Sequence, residues 1–222
     1  MRVLIAGAGR AGLSVALHLR SLDHQVIVVD RDAAVLKRVY DQHGLVLLEG
    51  DATDGALLHE AEAGRADVVV AMLRRDADNL AVALLAKEAG AKRVMVRMRD
   101  DVYRPVYLSA GVSRILSESD VFVGTFATAI EHEAVRHSMT LGTGESVAFE
   151  LAIPIESPMA GKTIRDIGQD PRFPTSCVFA VLYDAGRVEA PKGSSVVSGG
   201  MTVLLVARRD ELARTIEFFT RG

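Results

Sequence analysis

Three glycines near the start of the sequence have the spacing of a phosphate-binding turn. They belong to Gly7-Ala8-Gly9-Arg10-Ala11-Gly12, which follows the apolar run of residues 3–6 and precedes a segment of helical period. In such a strand–turn–helix unit the first glycine permits a tight turn, the second lets a pyrophosphate approach the backbone, and the third brings the helix close to the sheet. The helix N-terminus would then face the phosphates. Gly7, Gly9, Ala11 and Gly12 are therefore candidate nucleotide contacts.

An acid stands where the ribose of such a nucleotide would lie. Asp30 ends the second apolar run, 18 positions after Gly12, close to the roughly 20 expected for the acid that hydrogen-bonds ribose hydroxyls. A glycine turn alone can be a simple connection, but here it has a strand before it, a helix after it and the acid in place. Arg31 would stack on adenine or serve a 2′-phosphate, although Asp30 argues against a phosphorylated ribose.

Further candidate contacts follow the third and fourth predicted strands. Asp51, Ala52 and Thr53 come directly after the third strand, at the carboxyl edge where open parallel sheets bind ligands. They are candidates for adenine contacts, and the equally weighted alternative is that Asp51 or Thr53 caps a helix. Ala71 ends the fourth predicted strand and completes this set.

Two arginines are candidates for phosphate contacts. Arg10 lies inside the glycine segment, and Arg97 ends the fifth predicted strand at the same edge. Guanidinium groups bind phosphate oxygens in a fork geometry, so this pair favours a nucleotide with a diphosphate or triphosphate tail. Arg74, Arg75 and Arg99 are interpreted as solvated surface side chains.

The segments of the sequence that resemble enzyme motifs lack the spacing or residues that those motifs require. His132 and His137 are five positions apart and would point about 140° apart on a helix, which does not fit a zinc-protease motif. Gly161-Lys162-Thr163 resembles the end of a phosphate-binding loop, but Glu156 stands where the first glycine should be, so a turn into a short helix is expected. Cys177 is interpreted as a packed core residue. With no proton-transfer pair suited to hydride chemistry, the sequence predicts a non-enzymatic protein.

Six aliphatic runs must position the candidate residues. They alternate with longer segments of helical period, as in a parallel sheet of repeated strand–helix units. Asp76 and Asp101 are predicted to cap helices at their N-termini, and Gly90 and Gly111 to end them. We predict a Rossmann-type, doubly wound α/β sheet with strands at residues 3–6, 25–29, 45–48, 67–71, 93–97 and 114–116.

The pattern changes after the sixth run. Phe122, Phe126 and Ile130 form an apolar stripe on a helix from residue 120 to about residue 136, which needs either a partner surface or its own sheet to pack against. The helical period then breaks at residues 140–145, and short strand-like runs follow at residues 147–153, 176–183 and 201–207. Asp184-Ala185-Gly186 is typical of a hairpin turn, and residues 209–219 of a closing helix.

This second pattern predicts a small α+β C-terminal domain. We place the nucleotide-binding domain, with the stripe-bearing helix, at residues 1–139 and the second domain at residues 140–222. Composition agrees with a globular chain, since 49% of the 222 residues are hydrophobic and 25% are charged. The net charge of −3 provides no field that would attract nucleic acid. A single cysteine, no apolar stretch of roughly 20 residues and no export signal predict a cytoplasmic protein that reaches a membrane only through a partner.

These motifs resemble the regulatory subunits of Trk and Ktr type potassium uptake systems. Such chains pair a TrkA-N domain with a TrkA-C domain, also called regulator of potassium conductance (RCK) domains. The resemblance covers essentially the whole chain. It is carried by Gly7-Ala8-Gly9-Arg10-Ala11-Gly12, Val28-Val29-Asp30, Gly50-Asp51-Ala52-Thr53, Val96-Arg97, Ser117-Glu118, Ala160-Gly161-Lys162-Thr163-Ile164 and Val203-Leu204-Leu205-Val206.

The resemblance implies a ligand, an assembly and a partner. The N-terminal domain would bind ATP, ADP or NAD(H), with Arg10 reading the terminal phosphate and Arg97 approaching the phosphates. Glu118 matches an acid that in some members helps to bind a divalent cation, Mg²⁺ or Ca²⁺, at a dimer interface; the alternative is a surface or capping acid. The helix from Asp120 matches the crossover helix through which these domains dimerise. Homodimers would assemble into a ring, with an octamer expected, that acts on a membrane potassium channel or transporter subunit.

The expected function is therefore a cytoplasmic, nucleotide-sensing gating subunit of a potassium transport system, peripheral to the inner face of the cell membrane. In some relatives the C-terminal domain binds cyclic di-AMP at a dimer interface, which we include as a candidate ligand. Two alternatives share the glycine motif: a small NAD(P)-dependent oxidoreductase and a nucleotide sensor for another transporter. The small second domain argues against the oxidoreductase, because it offers little room for a substrate pocket.

Overall fold

The aliphatic runs of the N-terminal half form one parallel sheet, as the sequence predicts. The computed structural model describes residues 1–142, 144–184 and 186–221. The strands pair in parallel in the order β3-β2-β1-β4-β5-β6, which is the order of a doubly wound Rossmann-type sheet. They are β1 (Arg2–Ala6), β2 (Gln25–Asp30), β3 (Val46–Glu49), β4 (Val68–Ala71), β5 (Val94–Met98) and β6 (Arg114–Ser117).

Five helices connect these strands: α1 (Arg10–Ser21), α2 (Ala33–His43), α3 (Gly55–Glu60), α4 (Asp76–Glu88) and α5 (Arg104–Ser109). Helices cover both faces of the sheet. Successive strand residues point to opposite faces, so neighbouring residues of one strand pack against different helices. Val3 and Ile5 pack in one cluster with Ala16 of α1, whereas Leu4 packs in another with Val82 of α4. The near-continuous apolar character of the inner strands follows from this double burial.

The helix ends agree only in part with the sequence prediction. Gly90 and Gly111 follow α4 and α5 with φ of 94° and 70°, so both end their helices as predicted. The two predicted N-terminal caps are wrong by one position. Asp76 is the first residue of α4 rather than its cap, and the turn that begins at Asp101 is capped by Asp100, whose side chain accepts a hydrogen bond from a backbone amide.

The C-terminal half combines an antiparallel sheet with helices, the α+β arrangement that the sequence predicts. Strand order is β10-β9-β11-β8-β7. The elements are α6 (Glu118–Glu131), β7 (Val135–Leu141), β8 (Ser146–Ala152), α7 (Ile164–Gln169), β9 (Val178–Asp184), β10 (Arg187–Glu189), β11 (Thr202–Arg208) and α8 (Leu212–Thr220). Asp184 pairs with Arg187 across the predicted hairpin; Ala185 within that turn lies outside the described residues.

Apolar side chains from the sheet and from α8 form the core of this half. Phe149 and Phe219 are fully buried there. Thr163 caps α7 and forms a capping box with Asp166, which confirms the predicted turn into a short helix. Cys177 is buried, and burial raises the pKa of its thiol to about 12. It is a core residue, as expected.

The junction between the halves differs from the sequence prediction. The chain divides into compact units at Met1–Glu118 and Ser119–Gly222, so most of the stripe-bearing helix α6 groups with the C-terminal unit. That helix ends at Glu131, and β7 begins at Val135 and pairs antiparallel with β8 along its length. Val135 and Arg136, which the sequence prediction places at the end of the helix, therefore belong to the second sheet, where Val135 pairs with Leu151. Thr143, in the predicted break, lies outside the described residues.

Candidate nucleotide-binding site

Two glycines of the turn are required by close contacts within the protein. Gly7 follows β1 with φ of 114°, and a β-carbon there would lie 2.9 Å from the carbonyl oxygen of Met72. A β-carbon on Gly12 would lie 2.0 Å from the carbonyl oxygen of Gly7. Any side chain at either position would force the turn away from the sheet. The tight turn and the close approach of α1 therefore account for both glycines.

The middle glycine has no such explanation among the described residues. A β-carbon on Gly9 would meet none of their atoms within 4 Å, and Gly9 has φ of −61°, which any residue adopts. It is the N-cap of α1 and provides no side-chain cap, so the amides of the first helical turn lack intrahelical acceptors. Such amides with open space before them form an anion site. The backbone fits a phosphate group that approaches from outside.

Asp30 joins the second strand to the turn. One oxygen of its carboxylate accepts a hydrogen bond from the Ala8 amide at 2.6 Å, and the other accepts one from the Asp32 amide at 3.0 Å. The side chain is half-buried. A carboxylate has about four acceptor positions, so these two bonds leave capacity for hydroxyl donors. Asp30 thus orders the turn and can still bind a ribose.

The loop after β3 lies beside Asp30. The Gly50 amide donates to the backbone carbonyl of Asp30 at 2.9 Å. Hydrogen bonds from the Thr53 amide and hydroxyl to Asp51 lower the pKa of this carboxyl, and the charge of the exposed Arg31 adds to that effect. The helix-cap alternative for Asp51 and Thr53 is wrong, because Asp54 caps α3 by accepting from the Ala56 amide.

The order of the strands places the predicted residues along one edge. The segments after β3, β2, β1 and β4 are neighbours, with Ala6 paired to both Val29 and Ala71. Ala71 and Ala52 are buried, whereas Arg10 is exposed and forms no ion pair among the described residues. The glycine turn, Asp30 and the loop of Asp51–Thr53 are therefore contiguous.

Arg97 lies two strands from the turn and is engaged with an acid. Its guanidinium pairs with the carboxylate of Glu118, whose second oxygen lies 3.3 Å from Nε of Arg99. Arg99, interpreted from sequence as a solvated side chain, is thus part of an ion cluster. No group of three or more His, Cys, Asp or Glu side chains suited to a metal occurs in the described ranges, so a cation at Glu118 would need further ligands from a nucleotide or a second copy.

A buried acid that the sequence prediction assigned only to a helix cap holds the same edge in place. The carboxylate of Asp76 accepts hydrogen bonds from the amides of Arg99 and Asp100 and, at 3.0 Å, from the hydroxyl of Tyr107. Burial, and secondarily this bond, raise the pKa of Tyr107. Asn79, also buried, donates to the Arg97 carbonyl at 3.0 Å. One sequence signal was present: two polar residues on the apolar side of α4.

Comparison with known proteins identifies the family. The TrkA-N domain model matches residues 3–118, and the TrkA-C domain model matches residues 148–220. The chain belongs to the TrkA-N/TrkA-C family. Both matches agree with the order of the two sheets along the chain, and the TrkA-N match contains every nucleotide-site candidate named above.

Several curated members of this family are similar over nearly the whole chain. A Trk system potassium uptake protein TrkA homolog of Archaeoglobus fulgidus is 30% identical over 96% of the chain, which spans only 48% of that relative. The TrkA homolog of Methanothermobacter thermautotrophicus is 24% identical, and TrkA of Mycobacterium tuberculosis H37Rv is 27% identical. The chain spans 100% and 98% of these two relatives.

Solved structures share the fold. The GsuK RCK domain aligns over 100% of the chain with a TM-score of 0.68 and 20% identity, covering 48% of that chain. The GsuK channel bound to NAD aligns with a TM-score of 0.71 and 20% identity, and the alignment covers 40% of that chain. A Kef C-terminal domain of Shewanella denitrificans in an AMP-bound form aligns over 59% of the chain with a TM-score of 0.50 and 25% identity, covering 79% of that chain. No helix among the described residues is long and apolar enough to cross a membrane.

Proposed function

We propose that this chain is a nucleotide-sensing regulatory subunit of a potassium transport system. It binds an adenine nucleotide, ATP, ADP or NAD(H), at the glycine turn and transmits the binding state to a membrane potassium channel or transporter subunit. It acts from the cytoplasm, at the inner face of the cell membrane. The proposal is supported by the open phosphate site at Gly9 and by the potassium uptake names of its relatives.

The observation that carries the proposal is the contrast among the glycines of the turn. At Gly7 and Gly12 a β-carbon would lie within 3 Å of a backbone oxygen, whereas Gly9 is surrounded by open space. Protein packing gives no reason for a glycine there, but the approach of a phosphate does. The AMP-bound Kef domain and the NAD-bound GsuK channel, which share the fold, support an adenine nucleotide as the ligand.

Each candidate side chain has a distinct task in this proposal. The α1 amides and Arg10 hold phosphate oxygens, Asp30 accepts from ribose hydroxyls, and the loop of Asp51–Thr53 borders the adenine. Arg97 is released from Glu118 only if phosphate oxygens replace that carboxylate. A nucleotide with more phosphate charge competes better for Arg97, so the ion cluster distinguishes one nucleotide from another.

Sensing requires that nucleotides prefer one conformation of an assembly. A ligand shifts a conformational equilibrium only by its difference in affinity for the two states. We propose a homodimer formed through α6, because Phe122, Phe126 and Ile130 on this helix are 58%, 62% and 82% exposed. From the family resemblance we further propose that such dimers assemble into a ring, an octamer. The partner channel then responds to the shape of the ring.

The regulatory role is tested in cells and in membrane extracts. Deleting the gene should change potassium-dependent growth at limiting potassium, and the wild-type chain should restore it. The tagged chain should co-purify with a membrane potassium transport protein, and the Asp30→Ala variant should fail to restore growth although it is still produced. Full restoration by Asp30→Ala would contradict the role of nucleotide sensing. Co-purification with a transporter of another substrate would contradict the potassium partner but would leave the proposed nucleotide sensing in place.

The role of Arg10 is tested by comparing two nucleotides. Arg10→Ala should lower the affinity for ATP by about tenfold, because a charge-assisted hydrogen bond to phosphate is lost. It should lower the affinity for NADH much less. Arg38→Ala is the matched control, since Arg38 is an exposed arginine on α2. An equal loss for ATP and NADH would remove the proposed reading of the terminal phosphate.

Three finer proposals are tested by adding ligands to the same protein. Mg²⁺ or Ca²⁺ should tighten ATP binding if Glu118 contributes to a cation site, and Glu118→Gln should abolish that effect. Cyclic di-AMP should bind independently of ATP if the C-terminal unit has its own site. Consumption of NADH or NADPH in a broad substrate screen would favour the oxidoreductase alternative over a sensor.

A further inference from the structure

A cleft lies at the amino-terminal edge of the parallel sheet and has a volume of about 510 Å³. Its floor includes Leu4 of β1, Ile27 of β2 and Val46 of β3, which the strand register places side by side. In a parallel sheet all amino ends share one edge, so the glycine turn is at the opposite one. The five residues of β1 separate the two edges by about 13 Å at 3.3 Å per residue.

The cleft exists because small residues cover this part of the sheet. Helix α3, which follows β3, has only six residues. The segment after it contributes Ala61 and Ala66 to the wall, and it is fixed by Gly64, where a β-carbon would lie 2.2 Å from a backbone oxygen. Val46 remains 61% exposed as a result. The cleft is therefore an uncovered apolar surface with a rigid wall.

The rim of the cleft carries more basic than acidic groups. Arg2 forms an ion pair with Glu62 at 3.3 Å, and Glu62 is shared with Arg65. Arg20 and His24 also line the cleft, and neither forms an ion pair in the part of the chain that the structure describes. Arg20 donates to the carbonyl of His43, but a guanidinium has five N–H donors, so others remain for a ligand.

We propose that this cleft binds a small organic anion, with an apolar ring or branched aliphatic body on the floor and a carboxylate or sulfonate group at Arg20 and His24. The volume lies in the range of about 300–1,000 Å³ that is typical of small-molecule sites. Glu62, the only acid among the described residues that line the cleft, is already paired, so the charge favours an anion over a cation. The site is separate from the glycine turn and does not depend on the proposed nucleotide function.

The charge requirement is tested with a fluorescent probe of this chemistry, anilinonaphthalene sulfonate. We expect the full chain to bind one equivalent per chain, both without nucleotide and in the presence of excess ATP. Arg20→Gln and His24→Gln should each lower the affinity for the probe, and the loss for Arg20→Gln should be about tenfold. Arg38→Gln should leave its affinity unchanged, because Arg38 lies on α2 outside the cleft.

The apolar floor is tested by one charged substitution and its control. Val46→Glu should abolish probe binding, because it places a negative charge on the floor at an exposed position that tolerates a polar side chain. Val102→Glu, at a residue that is 70% exposed elsewhere in the same unit, should bind the probe normally. The circular dichroism spectrum of each variant verifies its fold. Absent binding, displacement of the probe by ATP, or unchanged affinity in Arg20→Gln and Val46→Glu would each overturn the proposal.

Discussion

The glycines of the turn differ in what surrounds their α-carbons, and this difference separates folding from binding. Gly7 needs a left-handed φ and Gly12 a close approach of α1, so both belong to the fold. Gly9 has neither need. The spacing in the sequence predicts this division of roles, and the structure gives its cause, which is the set of atoms that a β-carbon would meet at each position.

The glycine contrast predicts two different effects of adding one methyl group. Gly12→Ala should lower the free energy of unfolding by about 3 kcal/mol, because its β-carbon overlaps a backbone oxygen and the helix must shift. Gly9→Ala should cost about 1 kcal/mol, the ordinary difference between glycine and alanine at an N-cap. Urea denaturation followed by circular dichroism measures both. Equal losses would show that the space at Gly9 is not open in solution.

The lowered pKa of Asp67 predicts how the free energy of unfolding changes with pH in acid. Its carboxylate pairs with Lys92 at 2.7 Å and accepts from the Arg2 amide, which lowers its pKa from 3.8 to about 2. A pKa lowered by folding contributes stability above the unfolded value, and this contribution is lost as the pH falls through the folded value. The free energy of unfolding should therefore fall between about pH 4 and about pH 2.

Two variants isolate this contribution. Asp67→Asn and Lys92→Gln should each make the decline of stability below pH 4 shallower, because one removes the titrating group and the other its main partner. Chemical denaturation at several acid pH values measures the slope. An unchanged slope in both variants would contradict the assignment to the Asp67–Lys92 pair.

At the scale of elements, the buried carboxylate of Asp76 joins the start of α4 to the end of β5. It accepts hydrogen bonds from two backbone amides and from the hydroxyl of Tyr107, a fully buried residue. This fixes the backbone of Arg99, whose side chain meets Glu118. The acid thus positions the ion cluster without contacting a ligand.

Removing the acid and removing the tyrosine hydroxyl should have unequal effects. Asp76→Ala leaves two part-buried amides without an acceptor, removes an acceptor of the buried Tyr107 hydroxyl, and should lower the free energy of unfolding by about 3 kcal/mol. Tyr107→Phe removes a single donor, while the carboxylate keeps its amide partners, and should cost about 1 kcal/mol. Denaturation in urea compares the two. A larger loss for Tyr107→Phe would contradict the central role of Asp76.

The elements predicted from sequence are those whose information is local. All six parallel strands are apolar runs bounded by turn residues, and Gly90 and Gly111 end helices by a backbone preference of their own type. The role of Asp76 depends on amides more than 20 positions away, and the local pattern predicts residues 135–136 of β7 as the end of the preceding helix. Their strand forms because β8 supplies the backbone partners, which no local pattern reveals.

At the scale of the whole molecule, each unit has its own core and one has an exposed apolar helix. The N-terminal sheet and the C-terminal sheet bury separate clusters of side chains. The phenylalanines of α6 remain on the surface of the single chain, although large exposed apolar patches are typical of interfaces. A sensor built from such chains would couple nucleotide binding to the arrangement of subunits.

The central claim is that the turn at Gly9 binds an adenine nucleotide, and calorimetric titration tests it most directly. We predict saturable binding of at least one of ATP, ADP, NAD and NADH to the wild-type chain. The same ligand should bind at least about tenfold more weakly to Gly9→Ala, whose added methyl group occupies the phosphate approach. Gly168→Ala, a control glycine that is also without neighbours within 4 Å, should bind as the wild type does. No affinity for any of the four nucleotides would contradict the account.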